Sequence, residues 1–172
     1  MRTQWIAALA LSIAATATAV PRPMPRRLAF YNTHTGESVD VVYWSDGHYV
    51  PEALEQIDRV LRDHRTNEVQ EIDRRVLDLL FELRVRLKTD QPYHVISGYR
   101  TPESNAYLRG RSPASGVAQF SQHMLGRATD VRLPGEKIEA IRDAALKMRR
   151  GGVGYYPASD FVHVDVGRVR HW

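Results

Sequence analysis

The 172-residue chain contains no cysteine. That absence excludes disulfides, thiol nucleophiles, cysteine-rich zinc fingers and attachment of a lipid through a cysteine. It leaves histidine and carboxylate as the strong metal ligands available. There is no dense Lys/Arg run with interleaved aromatics, and the net charge is only +4, carried by scattered residues that are mostly arginine. A nucleic-acid groove is therefore not expected, although a mildly basic balance suits an anionic polymer. The one long apolar run, Trp5 to Ala17, is too short for a comfortable membrane span. No internal repeat or low-complexity linker divides the chain. With 43% hydrophobic residues it can build one compact core.

What is present reads in order as follows. Arg2, the apolar run and the small-x-small step Ala17-Thr18-Ala19 predict a secretory signal over residues 1–19, with stable membrane insertion not expected after processing. An uncleaved anchor or a first buried helix is the alternative. No Arg-Arg pair precedes the run, so general secretion is favoured over the twin-arginine route. Residues 20–27 are rich in Pro and Arg and read as an extended lead-in, and residues 28–172 as the folded domain. Leu28–Asn32 and Ser38–Trp44 predict a hairpin. Pro51 opens a helix with Leu54, Ile57, Val60 and Leu61 on its apolar face. Asp73 is the expected N-cap of the longest helix, whose stripe is Val76, Leu77, Leu80, Leu83 and Leu87. His94–Ser97 is a short strand, and Thr101-Pro102-Glu103 starts a helix that ends near Gly110. Arg111–Phe120 reads as a loop. Ala128–Leu133 is a strand, Glu136–Arg150 a helix closed by Gly151, and Val153–Tyr156 and Phe161–Val166 are strands. The expected class is α+β: an antiparallel sheet backed by helices.

The chemistry concentrates in two stretches. Ser121–Asp130, SQHMLGRATD, places His123 and Asp130 seven residues apart across a turn at Gly126. Asp160–Asp165, DFVHVD, adds His163. Strand alternation puts Phe161, His163 and Asp165 on one face and Val162, Val164 and Val166 on the other, and it puts Asp130 on one face with Ala128 and Arg132. If the two strands are neighbours, two imidazoles and a carboxylate converge, the layout of a catalytic zinc site that keeps a position open for water. A single strand histidine is more often a hydrogen-bonded core residue, and the residues by themselves leave both readings open.

The combination of Ser97–Arg100 (SGYR), SxHxxGxAxD over Ser121–Asp130, Gly151–Pro157 (GGVGYYP) and Phe161–Asp165 (FVHVD) resembles the zinc D-Ala-D-Ala peptidase superfamily (peptidase family M15-like), most nearly its exported murein endopeptidase K-type branch. The resemblance spans most of the chain after residue 27. It implies Zn2+ held by His123, Asp130 and His163, and hydrolysis of amide bonds in peptidoglycan peptide stems outside the cytoplasm, in the periplasm or at the wall. Several relatives carry HxH at the last ligand; here that position is Phe161, so the general-base role falls to Asp160, three residues before His163. Arg100 is the expected oxyanion partner, Asp165 the expected outer hydrogen-bond partner of a ligand imidazole, and Ser121 a residue that orients the loop or a ligand. Tyr99, Tyr155 and Tyr156 could line a groove. The competing reading is a zinc-containing wall-binding module without turnover, for which the hedgehog signalling domain, which shares the superfamily's zinc site, is the precedent. Whether D-Ala–diaminopimelate or diaminopimelate–diaminopimelate bonds are cut, or a terminal residue is removed, stays open at this stage.

Overall fold

The computed structural model describes residues 24–111 and 116–172. The expected signal and residues 20–23 of the lead-in lie outside the described residues. The chain runs β1 (Arg26–Asn32), β2 (Ser38–Ser45), β3 (His48–Tyr49), α1 (Pro51–Val60), α2 (Arg74–Leu87), β4 (Tyr93–Ser97), α3 (Pro102–Gly110), a 3-10 turn (Gln122–Leu125), β5 (Ala128–Arg132), α4 (Ile138–Met148), β6 (Gly152–Tyr156), a second 3-10 turn (Pro157–Ser159), β7 (Phe161–Asp165) and β8 (Arg170–His171). The strands form one sheet in the order β3-β2-β1-β4-β5-β7-β6-β8. This is the α+β fold expected, with two departures. β1 pairs with β4 in parallel and β6 pairs with β8 in parallel, while the other neighbours are antiparallel.

The helix signals act as anticipated at three ends. Asp73 accepts the N–H of Arg75, and Thr101 accepts that of Ser104. Pro51 occupies the first turn of α1, where its missing N–H costs nothing. The end of α4 differs from expectation. It stops at Met148 with Arg149 in the left-handed region at φ 52°, and Gly151 is instead buried under the backbone of Asp165. The first strand begins at Arg26, inside the expected lead-in, because Arg26 pairs with Asp78 of α2 and Arg27 with Asp40 of β2.

One face of the sheet carries the core. Leu28 and Phe30 of β1, Val95 of β4, Val131 of β5 and Val162 and Val164 of β7 pack with Ile57 of α1, Leu77, Leu80 and Leu83 of α2, and Ile141 of α4. These are almost completely buried, and each contributes about 1.5–3 kcal/mol through removal from water. Alternation then sends Asp130, His163 and Asp165 to the opposite face. The polar stretch between α1 and α2, unreadable by periodicity, is a structured strap. Its Leu61 carbonyl takes the N–H of Tyr99 at 2.7 Å, and buried Asp63 takes the backbone N–H and hydroxyl of Thr101 at 2.8 and 3.0 Å.

Asp58 on α1 generates a stability prediction. Its Oδ1 accepts the N–H of Ile72 at 2.9 Å. Burial pushes its carboxyl up to about 6, against the pull of that N–H and with added repulsion from Glu71 and Glu55. The folded chain thus binds more protons than the unfolded chain between the ordinary carboxylate range and that value, so stability falls as pH rises through the window. Asp58→Asn keeps the acceptor and removes the buried charge. It is expected to raise Tm by roughly 2–4 °C at about pH 7.5, about 1 kcal/mol once partial exposure is discounted, and to change it little at about pH 4. Thermal unfolding at both pH values checks this; an equal effect at the two would contradict it.

Candidate metal centre and its cleft

β5 and β7 are antiparallel neighbours, and Asp130 lies directly opposite His163 in the register. Directly opposed residues share a face with their side chains within reach of one another. His123 comes to them from the 3-10 turn before β5. Ser121 caps that turn, its hydroxyl oxygen accepting the His123 N–H at 3.3 Å. Gly126 ends it at φ 63°, where an added Cβ would overlap the Glu71 carbonyl, so only glycine can swing the chain from histidine to strand here.

Three ligand atoms meet: His123 Nε2, Asp130 Oδ1 and His163 Nδ1 form a triangle with sides of 3.2, 3.1 and 2.9 Å. All three residues are buried. In a tetrahedral zinc site with bonds of about 2.0–2.1 Å, ligand atoms stand roughly 3.3 Å apart. The donor triangle has the size of one face of that tetrahedron, and its composition, two imidazoles and a carboxylate, matches a site with a further open position. The His123, Asp130 and His163 set therefore fits a divalent ion of the zinc type.

The second nitrogen of each imidazole is committed, which sets the tautomers. His123 Nδ1 donates to the Gly98 carbonyl at 2.7 Å, leaving Nε2 for the centre. His163 Nε2 donates to Asp165 Oδ2 at 3.0 Å, leaving Nδ1. Such outer partners orient ligand rings and raise their basicity. Burial alone would raise the Asp130 carboxyl, but His123 and His163 outweigh it and hold the group well below the usual carboxylate range. Burial lowers His123; at His163 burial also pulls downward, but the hydrogen bonds that Asp130 and Asp165 accept outweigh it and hold the ring above its ordinary value. An anionic Asp130 and a neutral His123 are the forms a metal requires. Binding at His163 Nδ1 would displace a proton.

Asp165 has no exposure, yet its carboxyl is held well below the usual range. Burial favours the neutral acid; His163, Arg170 and the backbone N–H groups of Gly152 and Gly167 outweigh that. The N–H distances are 2.9 and 2.8 Å, and Arg170 Nη2 lies at 2.7 Å.

The centre lies in a cleft. One wall holds Arg100, 7% exposed, whose Nη2 reaches Ser97 Oγ at 3.2 Å and lies 3.6 Å from Asp130 Oδ2. Arg100 Nη1 donates to Asn105 Oδ1, and Asn105 Nδ2 donates to the carbonyls of Ala118 and Gln119, which ties the loop beside the cleft to α3. Arg100 Nε is buried with no partner among the described residues. Burial lowers the Arg100 pKa, opposed by Asp130. Tyr156, Phe161 and Trp172 give the cleft aromatic surface.

Of the residues singled out from sequence, the fold brings together His123, Asp130, His163, Arg100, Asp165 and Ser121. It does not bring in Asp160. That residue sits in the left-handed region at φ 52°, its side chain 63% exposed, with Oδ2 3.0 Å from Arg132 Nη1, and it does not line the cleft. In the structure Asp160 forms an ion-pair clasp across the ends of β5 and β7, apart from the residues that line the cleft. The reason is that the step before β7 turns the side chain outward. Tyr99 is buried with its hydroxyl toward Glu68, and Tyr155 reaches Glu139, so of the three tyrosines only Tyr156 lines the cleft. Arg170 and Trp172 were missed. The sole sequence signal for them was an arginine and an aromatic beside the FVHVD strand.

The Peptidase_M15_2 family model, described as peptidoglycan L,D-endopeptidase MepK, matches residues 20–172. The peptidoglycan L,D-endopeptidase MepK of Escherichia coli K12 is 45% identical over 150 residues, 87% of this chain and 81% of the relative. The probable peptidoglycan L,D-endopeptidase MepK of Haemophilus influenzae is 38% identical over 154 residues, 89% of this chain and 82% of the relative. With its donor triangle on one sheet face and this match along nearly its whole length, the chain belongs to the Peptidase_M15_2 family.

Proposed function

We propose that this protein is a zinc-dependent peptidoglycan endopeptidase that hydrolyses amide bonds in peptide cross-links, of the L,D type for which its relatives are named. The observation that carries the reading is the buried triangle of His123 Nε2, Asp130 Oδ1 and His163 Nδ1 beside an arginine with a free donor. Export to the periplasm or the wall goes with that substrate. Among the described residues no helix is long and apolar enough to cross a membrane.

Zinc at these three residues would polarise the scissile carbonyl and lower the pKa of water. The chain's own groups do the rest. Asp165 holds the His163 ring with Nδ1 turned to the centre, and Gly98 does the same for His123 through Nδ1. Arg100, which lines the cleft beside Asp130, would turn its guanidinium, a charge-assisted donor, toward the oxygen on which negative charge develops. Ser97, Asn105 and Asp130 hold the guanidinium in place, so its orientation is set before substrate arrives. One observation favours the non-catalytic binding module: among the described residues Asp130 is the only carboxylate that lines the cleft.

Digestion of purified, defined muropeptide dimers, read by mass spectrometry, separates the two readings. The expected result is cleavage by zinc-loaded protein and none after chelation. Binding without cleavage would establish the module. Elemental analysis is expected to give about one zinc per chain, and far less in His123→Ala. Equal zinc in the two would remove the site.

The two acids separate in their effects. Asp165→Asn is expected to weaken metal retention or activity by about ten- to a hundredfold, the scale for losing the partner of a ligand imidazole. Asp160→Asn is expected to keep zinc and to turn over within about threefold of wild type, as for an exposed ion pair. A loss of about a hundredfold in Asp160→Asn with zinc intact would restore that residue as the base.

A further inference from the structure

Trp172 is held in a way that its packing alone does not require. Its backbone N–H donates to Val153 O at 3.2 Å, and its carbonyl accepts from Tyr155 at 3.0 Å, which extends the β6 edge. Its indole Nε1 donates to the Tyr156 hydroxyl at 2.7 Å. Arg170 lies over the ring at 4.9 Å, and the ring centroid of His163 is 5.2 Å away. Gly154 is where β6 makes room, since a Cβ there would overlap the Trp172 and Tyr156 rings. Tyr156 in turn stacks on Phe161 with centroids 4.6 Å apart. These contacts nevertheless leave Trp172 49% exposed, and it lines the cleft.

A rigidly oriented, half-open aromatic beside a reaction centre is a ready binding surface, because little conformational entropy remains to be lost when a ligand covers it. A buried structural tryptophan would be closed over, and a surface one would not be fixed by this many contacts. The same lining carries Arg100 and Arg170 as well as these rings, so the cleft offers cationic donors to carboxylate or carbonyl oxygens and ring surface to hydrocarbon. A diaminopimelyl residue has that division: charged ends joined by methylenes.

Resting on the peptidase reading above, we propose that Trp172 is a substrate-positioning residue. Its open indole surface, continued by the Tyr156–Phe161 stack, receives the aliphatic part of the stem-peptide residue next to the scissile bond. It sets KM more than kcat. It also fixes which way the cross-link lies, with the hydrocarbon toward β6 and the polar backbone toward Arg100.

The test is steady-state cleavage of muropeptide dimers by zinc-loaded wild type, Trp172→Ala and Trp172→Phe, with zinc content and Tm measured for each. Trp172→Ala is expected to raise KM by about tenfold, the scale of a lost aromatic contact, with kcat within about threefold and zinc unchanged. Trp172→Phe, which keeps a ring and loses only the bond to Tyr156, is expected to recover most of that KM. Titrating wild type with the muropeptide monomer that cleavage yields should shift its tryptophan fluorescence, and the shift should be absent in Trp172→Phe. An unchanged KM in Trp172→Ala, or a loss confined to kcat and zinc content with no rescue by Phe, would overturn the proposal while leaving the peptidase reading intact. A wild type that neither cleaves the dimers nor responds to the monomer would overturn both.

Discussion

The structure around the centre depends on one buried carboxylate. Asp165 has no solvent exposure, and an unpaired ion in that position would cost several kcal/mol. It is stable there because donors surround it: His163 Nε2, the Arg170 guanidinium and the N–H groups of Gly152 and Gly167. Each donor belongs to a different part of the site. His163 is a proposed ligand, Gly152 begins β6, Gly167 turns the chain after β7, and Arg170 begins β8. Satisfying one charge therefore sets the ring orientation of a ligand and folds the chain's last stretch back onto β6. It also places Arg170 beneath Trp172. Removing the carboxylate would release all four together, because a network of this kind is only as good as its least satisfied member.

The sheet separates stability from chemistry by strand alternation. Val162 and Val164 close the core against the helices, while His163 and Asp165, one residue out of phase, lie on the other face, where His163 lines the cleft and Asp165 is buried behind it. The same division lets the reactive face remain polar without disturbing the apolar side. The two loops that reach the centre hang from the strap between α1 and α2: Tyr99 bonds to Leu61 O, and Asp73 bonds to Gly126 O at 2.9 Å. The Gly98 carbonyl that orients His123 and the turn that carries His123 are thus fixed to one segment, which keeps their separation constant.

Much of this was legible in the sequence because it depends on period and spacing. Alternation placed Asp130 and His163 on polar faces, and the antiparallel register that opposes them follows once their strands are neighbours. The α2 stripe and the Asp73 and Thr101 caps depend only on local chemistry and came out as expected. The strap did not, because its order comes from long-range bonds to Thr101, Tyr99 and Gly126 rather than from any pattern of its own. β3 and β8, two residues each, are too short to show a period. The position of Asp160 away from the cleft lining was not legible for a related reason. Spacing from His163 counts residues along the chain, whereas the left-handed φ at Asp160 decides where the carboxylate points, and there Arg132 holds it.

Arg100 shows how such a site is maintained at a cost in stability. A guanidinium 7% exposed with Nε unpartnered is less favourable than one fully hydrogen-bonded, since a buried donor without an acceptor costs about 1–3 kcal/mol. The fold offsets part of this through Ser97, Asn105 and the proximity of Asp130, yet none of them takes Nε. A sequence selected only for folding would supply the missing acceptor or replace the arginine with an apolar side chain. Leaving one donor unused, next to a carboxylate held ionised by two imidazoles, is the condition in which an incoming oxygen gains most from binding. The unmet bond is thus a stability cost of holding a guanidinium beside Asp130 at the cleft, the place where the proposed function would have it meet an oxygen of the substrate.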